Sequence, residues 1–129
     1  MITMDMYILN ILIYFDHIIG TIPSCLFTLP QLVQLSVSGN GIRGPISEVP
    51  STTKLANISL SYNRLTGNIP ISLQQLGKVG ELDVSHNRFG GTLSNLNATK
   101  DTTDNTTVSI HAESNRLSGT LSTSFINFP

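Results

Sequence analysis

The sequence contains no tryptophan, a single cysteine and few charges: Asp, Glu, Lys and Arg together make up 12% of its 129 residues and sum to a net charge of −1. A chain this close to neutrality has little electrostatic attraction for phosphate backbones or anionic lipid, and 6% aromatics is too few for a base-stacking platform. Both facts argue against nucleic-acid binding. One cysteine, Cys25, cannot close an internal disulfide, so cysteine usage does not fix the redox compartment. Lying beside Leu26, Cys25 is expected to be a partly buried thiol. Catalytic signatures are missing as well: there is no Gly-rich phosphate loop, no nucleophile elbow, no H-E-x-x-H and no C-x-x-C. The most apolar stretch, residues 7–19, is broken by Asn10 and Asp16, too short for a good membrane span. It follows a segment with Asp5 and no Lys or Arg, and no small-residue cleavage site comes after it. It reads as the first coil of the array, and neither an export signal nor a transmembrane helix is evident.

What is present is one pattern written five times. Residues 55–70 give it most clearly as L-x-x-I-x-L-x-x-N-x-L-x-G-x-I-P, with Leu55, Ile58 and Leu60 before Asn63, then Leu65, Gly67, Ile69 and Pro70. Leu32, Leu35 and Val37 lead to Asn40; Val79, Leu82 and Val84 lead to Asn87; Ile110 and Ala112 lead to Asn115. The first copy is the weakest, with Ile8, Ile11 and Ile13 leading to Asp16. Successive anchors are 24, 23, 24 and 28 residues apart. A period in the twenties predicts stacked coils, each too small to bury its own apolar face. Alternation around Ile58 and Leu60 predicts a short strand, with Asn57, Ser59 and Ser61 on its outer face. The anchor Asn can both donate to and accept from backbone in the bend that follows, whereas an ionised Asp16 can only accept, so the first coil is expected to be less regular. Gly20, Gly44, Gly67, Gly91 and Gly119 suit a bend with unusual backbone angles. After Pro23 and Pro70, the spacing of Leu26 with Leu29 and of Leu73 with Leu76 predicts a short helical turn on the outside.

This pattern resembles the leucine-rich repeats of the plant type, and "LSYNRLTGNIP" and "HIIGTIPSCLFTLPQL" carry the likeness almost unaltered. It covers residues 8–129. The resemblance implies an α/β repeat solenoid of about five coils, a right-handed superhelix with a parallel sheet on its concave face and short helical or irregular segments on its convex face. The whole chain, 1–129, reads as one array anchored at Asp16, Asn40, Asn63, Asn87 and Asn115. Residues 95–109, rich in Thr and Asn, read as an inserted polar loop that cannot bury itself. The array is expected to be an uncapped piece of a longer protein, since its register runs off at Phe125 and Phe128.

Stacking sets equivalent positions side by side, about 5 Å apart. The outward column then grades from aromatic residues (Tyr14, Phe15) through serines to an acidic, histidine-bearing end. We take Tyr14, Phe15, Tyr62, Asp83, His86, His111 and Glu113 as the ligand-contact residues of the concave face. Asp83 and His111 occupy equivalent columns, but side chains on an open sheet stand parallel and do not converge on a metal or enclose a substrate. No catalytic, cofactor-binding or metal-binding residue is assigned, and no cofactor is expected. Arg64, Arg88 and Arg116 each follow an anchor and should stack along one edge, a solvated ladder or a grip for a carboxylate or sulfate. Asn57, Asn97 and Asn105 stand in N-x-S/T sequons. By resemblance, such arrays are receptor-like ectodomains or secreted inhibitors, at the cell surface or outside it. The expected function is non-catalytic recognition of a protein or peptide, reaching a membrane only through flanking sequence. The alternative is a structural or scaffolding fragment, or the remnant of a degenerate gene, with no binding activity of its own.

Overall fold

A computed structural model describes residues 9–75, 79–93 and 109–120. Each coil contributes one strand to a parallel sheet: β1 (Leu9–Leu12), β3 (Leu32–Ser36), β5 (Asn57–Ser59), β7 (Glu81–Asp83) and β8 (Ser109–His111), in the spatial order β1-β3-β5-β7-β8. A second parallel sheet, β2 (Ile19–Gly20), β4 (Gly41–Gly44) and β6 (Arg64–Leu65), follows the anchors on the adjoining side. The register keeps the sequence pattern aligned, for Leu35, Ile58, Leu82 and Ile110 share one row. Irregularity falls in the first coil, where the β1–β3 register shifts between Leu9 and Asn10. Most of the polar segment 95–109 lies outside the described residues, as do Ile8, Leu76, Phe125 and Phe128; only Ser109 of that segment is described, at the start of β8.

The core is one continuous column between the sheet and the outer segments. Leu35, Leu55, Ile58, Leu60, Leu65, Val84 and Phe89 are all at most 1% exposed. Each such side chain contributes about 1.5–3 kcal/mol by leaving water, but no coil holds enough of them alone. Ile11, Ile13, Ile110, Ala112 and Leu117 of the outermost described coils pack against this core while only partly buried.

The anchors bind coil to coil as well as shaping the bend. Asn63 Nδ2 donates to Leu60 O (3.1 Å) and Ser61 O (3.2 Å) in its own coil and to Val37 O (3.0 Å) in the coil before. Its Oδ1 accepts from Ile42 N at 3.1 Å. Asn40, Asn87 and Asn115 repeat the arrangement on their neighbours. One amide thus satisfies backbone groups of two coils, which a carboxylate cannot do. Asp16 makes no such bond among the described residues and is exposed.

The patterned glycines all have positive φ. At Gly91 (φ +75) the bend also brings backbone close to a neighbour, since a Cβ there would lie 2.5 Å from Asn68 Oδ1. On the convex side, Pro23 precedes a 3-10 turn (Ser24–Thr28) and Pro70 precedes α1 (Ile71–Gln74), each supplying the fixed φ suited to a helix start. Cys25 departs from expectation: it is exposed. In the tight 3-10 turn Phe27 takes the inward position and Leu26 the half-buried one, leaving Cys25 facing solvent.

Two convex-side contacts escaped the sequence reading. Gln74, buried, donates from Nε2 to Ile69 O at 2.9 Å and to Thr92 O at 3.3 Å. Glu48 reaches across one coil so that its Oε2 accepts from Ser72 N at 3.0 Å, at the start of α1, where no residue of α1's own coil provides a side-chain cap. Hydrogen bonds from Ser72, side chain then backbone, hold the Glu48 carboxyl below its ordinary 4.5, with Ile71 N adding to the effect. The lowered value means that this stabilisation is complete above 4.5 and is lost as pH falls through the folded value. Because Glu48 is largely solvated, the effect is at most about 0.5 kcal/mol. Glu48→Gln should lower the urea midpoint slightly at neutral pH, and the gap to wild type should close in acid. A gap that stays constant with pH would contradict the cap.

Candidate functional site

Among the described residues, the sheet face is where all five coils place strand side chains in register. Its columns run Asn10–Gln34–Asn57–Glu81–Ser109 and Leu12–Ser36–Ser59–Asp83–His111. Asp83 and His111 are direct partners on β7 and β8. Neither is idle: Asp83 Oδ1 accepts from Ser85 N (3.0 Å) and Ser85 Oγ (2.6 Å), and His111 Nε2 lies 3.0 Å from Ser109 Oγ. Glu113 is exposed in the last described coil, and its carbonyl accepts from His86 N at 2.9 Å. Among the described residues no three His, Cys, Asp or Glu side chains are placed to hold a metal.

The middle of the face is more enclosed than alternation implies. Ser36, Ser38, Ser61 and Ser85 are all buried, although the pattern puts them on the outer side. Small side chains at strand spacing are covered by their neighbours in the adjoining coils, and hydroxyls bond one another there. Ser38 Oγ is 2.7 Å from Ser59 Oγ and accepts from Ser61 Oγ at 3.1 Å. Among the described residues Ser36 Oγ alone is buried with no partner. An unpaired buried hydroxyl costs about 1–3 kcal/mol, so Ser36→Ala should leave stability unchanged or raise it by up to about 1 kcal/mol. A lowered urea midpoint in that variant would mean that Ser36 Oγ has a bond to lose.

Phe15, Tyr62 and His86 sit on the rim of this face, each in the position before its anchor. That position has positive φ in every coil: Phe15 (51°), Gly39 (73°), Tyr62 (55°), His86 (52°) and Ser114 (56°). The bend imposes it, because the following Asn must turn inward. Left-handed backbone costs a non-glycine residue about 1 kcal/mol. Tyr62 and His86 recover much of that by stacking, with ring centroids 4.1 Å apart and planes within 10°. Phe15 lies over Gly39, where a Cβ would strike its ring. Phe15 (71%), Tyr62 (57%) and Tyr14 (47%) remain largely exposed. Tyr62 and His86 therefore come together, and so do Asp83 and His111, while Tyr14 and Phe15 stand apart at the first coil. The left-handed column itself was legible only in hindsight: Gly39 is its single sequence hint.

Beyond the anchors, Arg64, Arg88 and Arg116 are exposed as expected, and Arg43 joins them, paired with Arg64 across β4 and β6. Arg43 was missed because it lies three residues after its anchor and the others lie one after theirs. Asn57 of the first sequon is exposed on β5; Asn97 and Asn105 lie outside the described residues.

A family model described as Leucine Rich Repeat matches residues 54–76, the copy in which the pattern is clearest. Solved structures extend the match over the other coils. The chain carries leucine-rich repeats of the plant type. A chain of the BIR3–SERK2 complex from Arabidopsis thaliana is 26% identical, with a TM-score of 0.70 over 91% of this chain. The BIR2 ectodomain from Arabidopsis thaliana is also 26% identical, with a TM-score of 0.68 over 92%. The structure of the Arabidopsis receptor kinase HAESA with the peptide hormone IDA and the co-receptor SERK1 is 30% identical, with a TM-score of 0.71 over 85%. The repeats described here span 61%, 60% and 18% of those chains, respectively. No curated protein sequence matches the chain. Among the described residues no helix is long and apolar enough to cross a membrane.

Proposed function

We propose that this repeat array is a non-catalytic recognition module that binds a peptide or protein along its concave sheet, as part of a cell-surface or extracellular receptor-like protein. The observation that carries this reading is the five-strand parallel face, with Asp83 and His111 on its strands and exposed Phe15 and Tyr62 and half-buried His86 in the bends that follow them; Tyr14 and Glu113 belong to the same proposed contact set. An open sheet offers area and register to an extended ligand and does not exclude water, which favours recognition over catalysis. Similarity to HAESA, solved with a peptide hormone, supports the ligand class. A glycan on Asn57 would stand on β5 in the middle of this face, so use of that sequon and binding there should exclude one another.

Tyr62→Ala combined with Asp83→Asn tests the assignment. The amide at position 83 retains an acceptor for Ser85, so the local bend is kept while the charge is removed. Peptides selected from a random display library against the wild-type protein should lose at least about tenfold in affinity for the double variant, as loss of one buried aromatic anchor implies. Undiminished affinity in a variant with a wild-type urea midpoint would sink the contact assignment.

A further inference from the structure

We propose that the rim, and not only the floor, of the concave sheet is a docking ledge, and that its occupant is an acidic peptide segment bearing an aromatic side chain. This rests on the recognition reading above and specifies the chemistry of what is recognised. Two independent features lead to it. The first is the left-handed column, whose bend is satisfied by glycine at Gly39 yet carries Phe15, Tyr62 and His86 elsewhere. These rings fill no core. Phe15 and Tyr62 project into solvent, and the 4.1 Å stack holds Tyr62 and His86 as a preformed flat platform for another ring.

The second is charge. Two residues beyond Tyr62 and His86, across the anchors, stand Arg64 and Arg88, with Arg43 and Arg116 on the flanking coils. All four are exposed, and none forms an ion pair among the described residues. A guanidinium presents paired donors that match a carboxylate. The floor has the opposite sign at β7 and in the last coil, where Glu81, Asp83 and Glu113 lie. An acidic ligand is therefore repelled from that part of the floor and attracted toward the exposed guanidinium groups that follow Tyr62 and His86 by two residues. One tyrosine or phenylalanine on the platform would place neighbouring carboxylates within reach of Arg64 and Arg88.

The test is a titration of the isotope-labelled full chain with a short Glu/Gly peptide carrying one central Tyr, read by amide chemical shifts. Two control peptides replace Glu by Gln or Tyr by Ala. Shifts should concentrate at residues 62–64 and 86–88, weaken with added salt, and be much reduced with both controls. Arg64→Gln with Arg88→Gln should lower affinity about tenfold at an unchanged urea midpoint. Shifts confined to Glu81, Asp83 and His111 would overturn the rim inference and leave concave recognition standing. Equal binding of the Gln and Glu peptides would overturn the charge assignment, and absence of any shift would overturn the acidic-aromatic ligand class. The library selection on the Tyr62/Asp83 variant judges the broader reading separately.

Discussion

Asn63→Ala should lower the unfolding free energy by about 3 kcal/mol, the largest effect expected of any polar substitution in the array. The amide is 8% exposed and serves four backbone groups: the carbonyls of Val37, Leu60 and Ser61 and the N–H of Ile42. Alanine leaves the Ile42 N–H without its partner in a site water reaches poorly, and takes one of two donors from each carbonyl, which keep Asn40 Nδ2 on Val37 O, Asn87 Nδ2 on Leu60 O and Gly39 N on Ser61 O. The orphaned N–H costs about 1–3 kcal/mol and the three forfeited carbonyl bonds add to it, reduced where water enters the space left by the side chain. Asn63→Asp is nearly isosteric and should still be severe, because a carboxylate keeps the acceptor for Ile42 N and loses every donor. Urea unfolding followed by circular dichroism measures both. A shift of under about 1 kcal/mol for Asn63→Ala would mean that the bend satisfies its own backbone without the amide. Amide exchange should also quicken at Ile42, in the coil before the mutation.

Phe89→Ala should cost about 3–5 kcal/mol. Its ring is fully buried, and it fills the position held by Leu65 and Ile42 in the preceding coils. Truncation removes the ring's transfer free energy and opens a void that a stack of fixed spacing closes poorly. Phe89→Leu restores the residue type used one coil earlier and should cost under about 1.5 kcal/mol. The ratio of the two urea-midpoint shifts is the informative quantity. Equal losses would show that the aromatic ring itself is required at this position, beyond the filling of volume. Since a domain of this size has about 5–15 kcal/mol in total, both alanine variants remove a large share of the fold's margin.

The pattern around Asn63 was sufficient to place the strands, the inward rows and the register, because a parallel stack repeats one local solution and periodicity is a local property. It was also enough to set Asp83 beside His111. What it concealed depends on contacts between coils. Nothing in the identity of Ser36 or Ser85 says that neighbouring coils cover them, so they read as solvent-facing and are buried. Positive φ at Tyr62 and His86 was hidden because bulky residues ordinarily avoid it, and the turn overrides that preference. Glu48 reads as a surface charge until the next coil brings Ser72 to it. Cys25 was misplaced because which side of a short 3-10 turn faces inward is set by the packing of Phe27 and not by sequence neighbours.

The reach of the anchor amides also bears on how the chain acquires its structure as it is made. Val37 O and Leu60 O each accept first from the anchor three residues on, and gain a second donor from an asparagine 26 and 27 residues later, respectively. At about 5–20 residues per second of synthesis, a newly emerged coil waits about 1–5 seconds for the side chain that closes its last bonds. Assembly at the ribosome should therefore trail elongation by one coil, each turn remaining provisional until its successor arrives. A pause in translation just before Asn63 would prolong the vulnerable state of the coil anchored at Asn40.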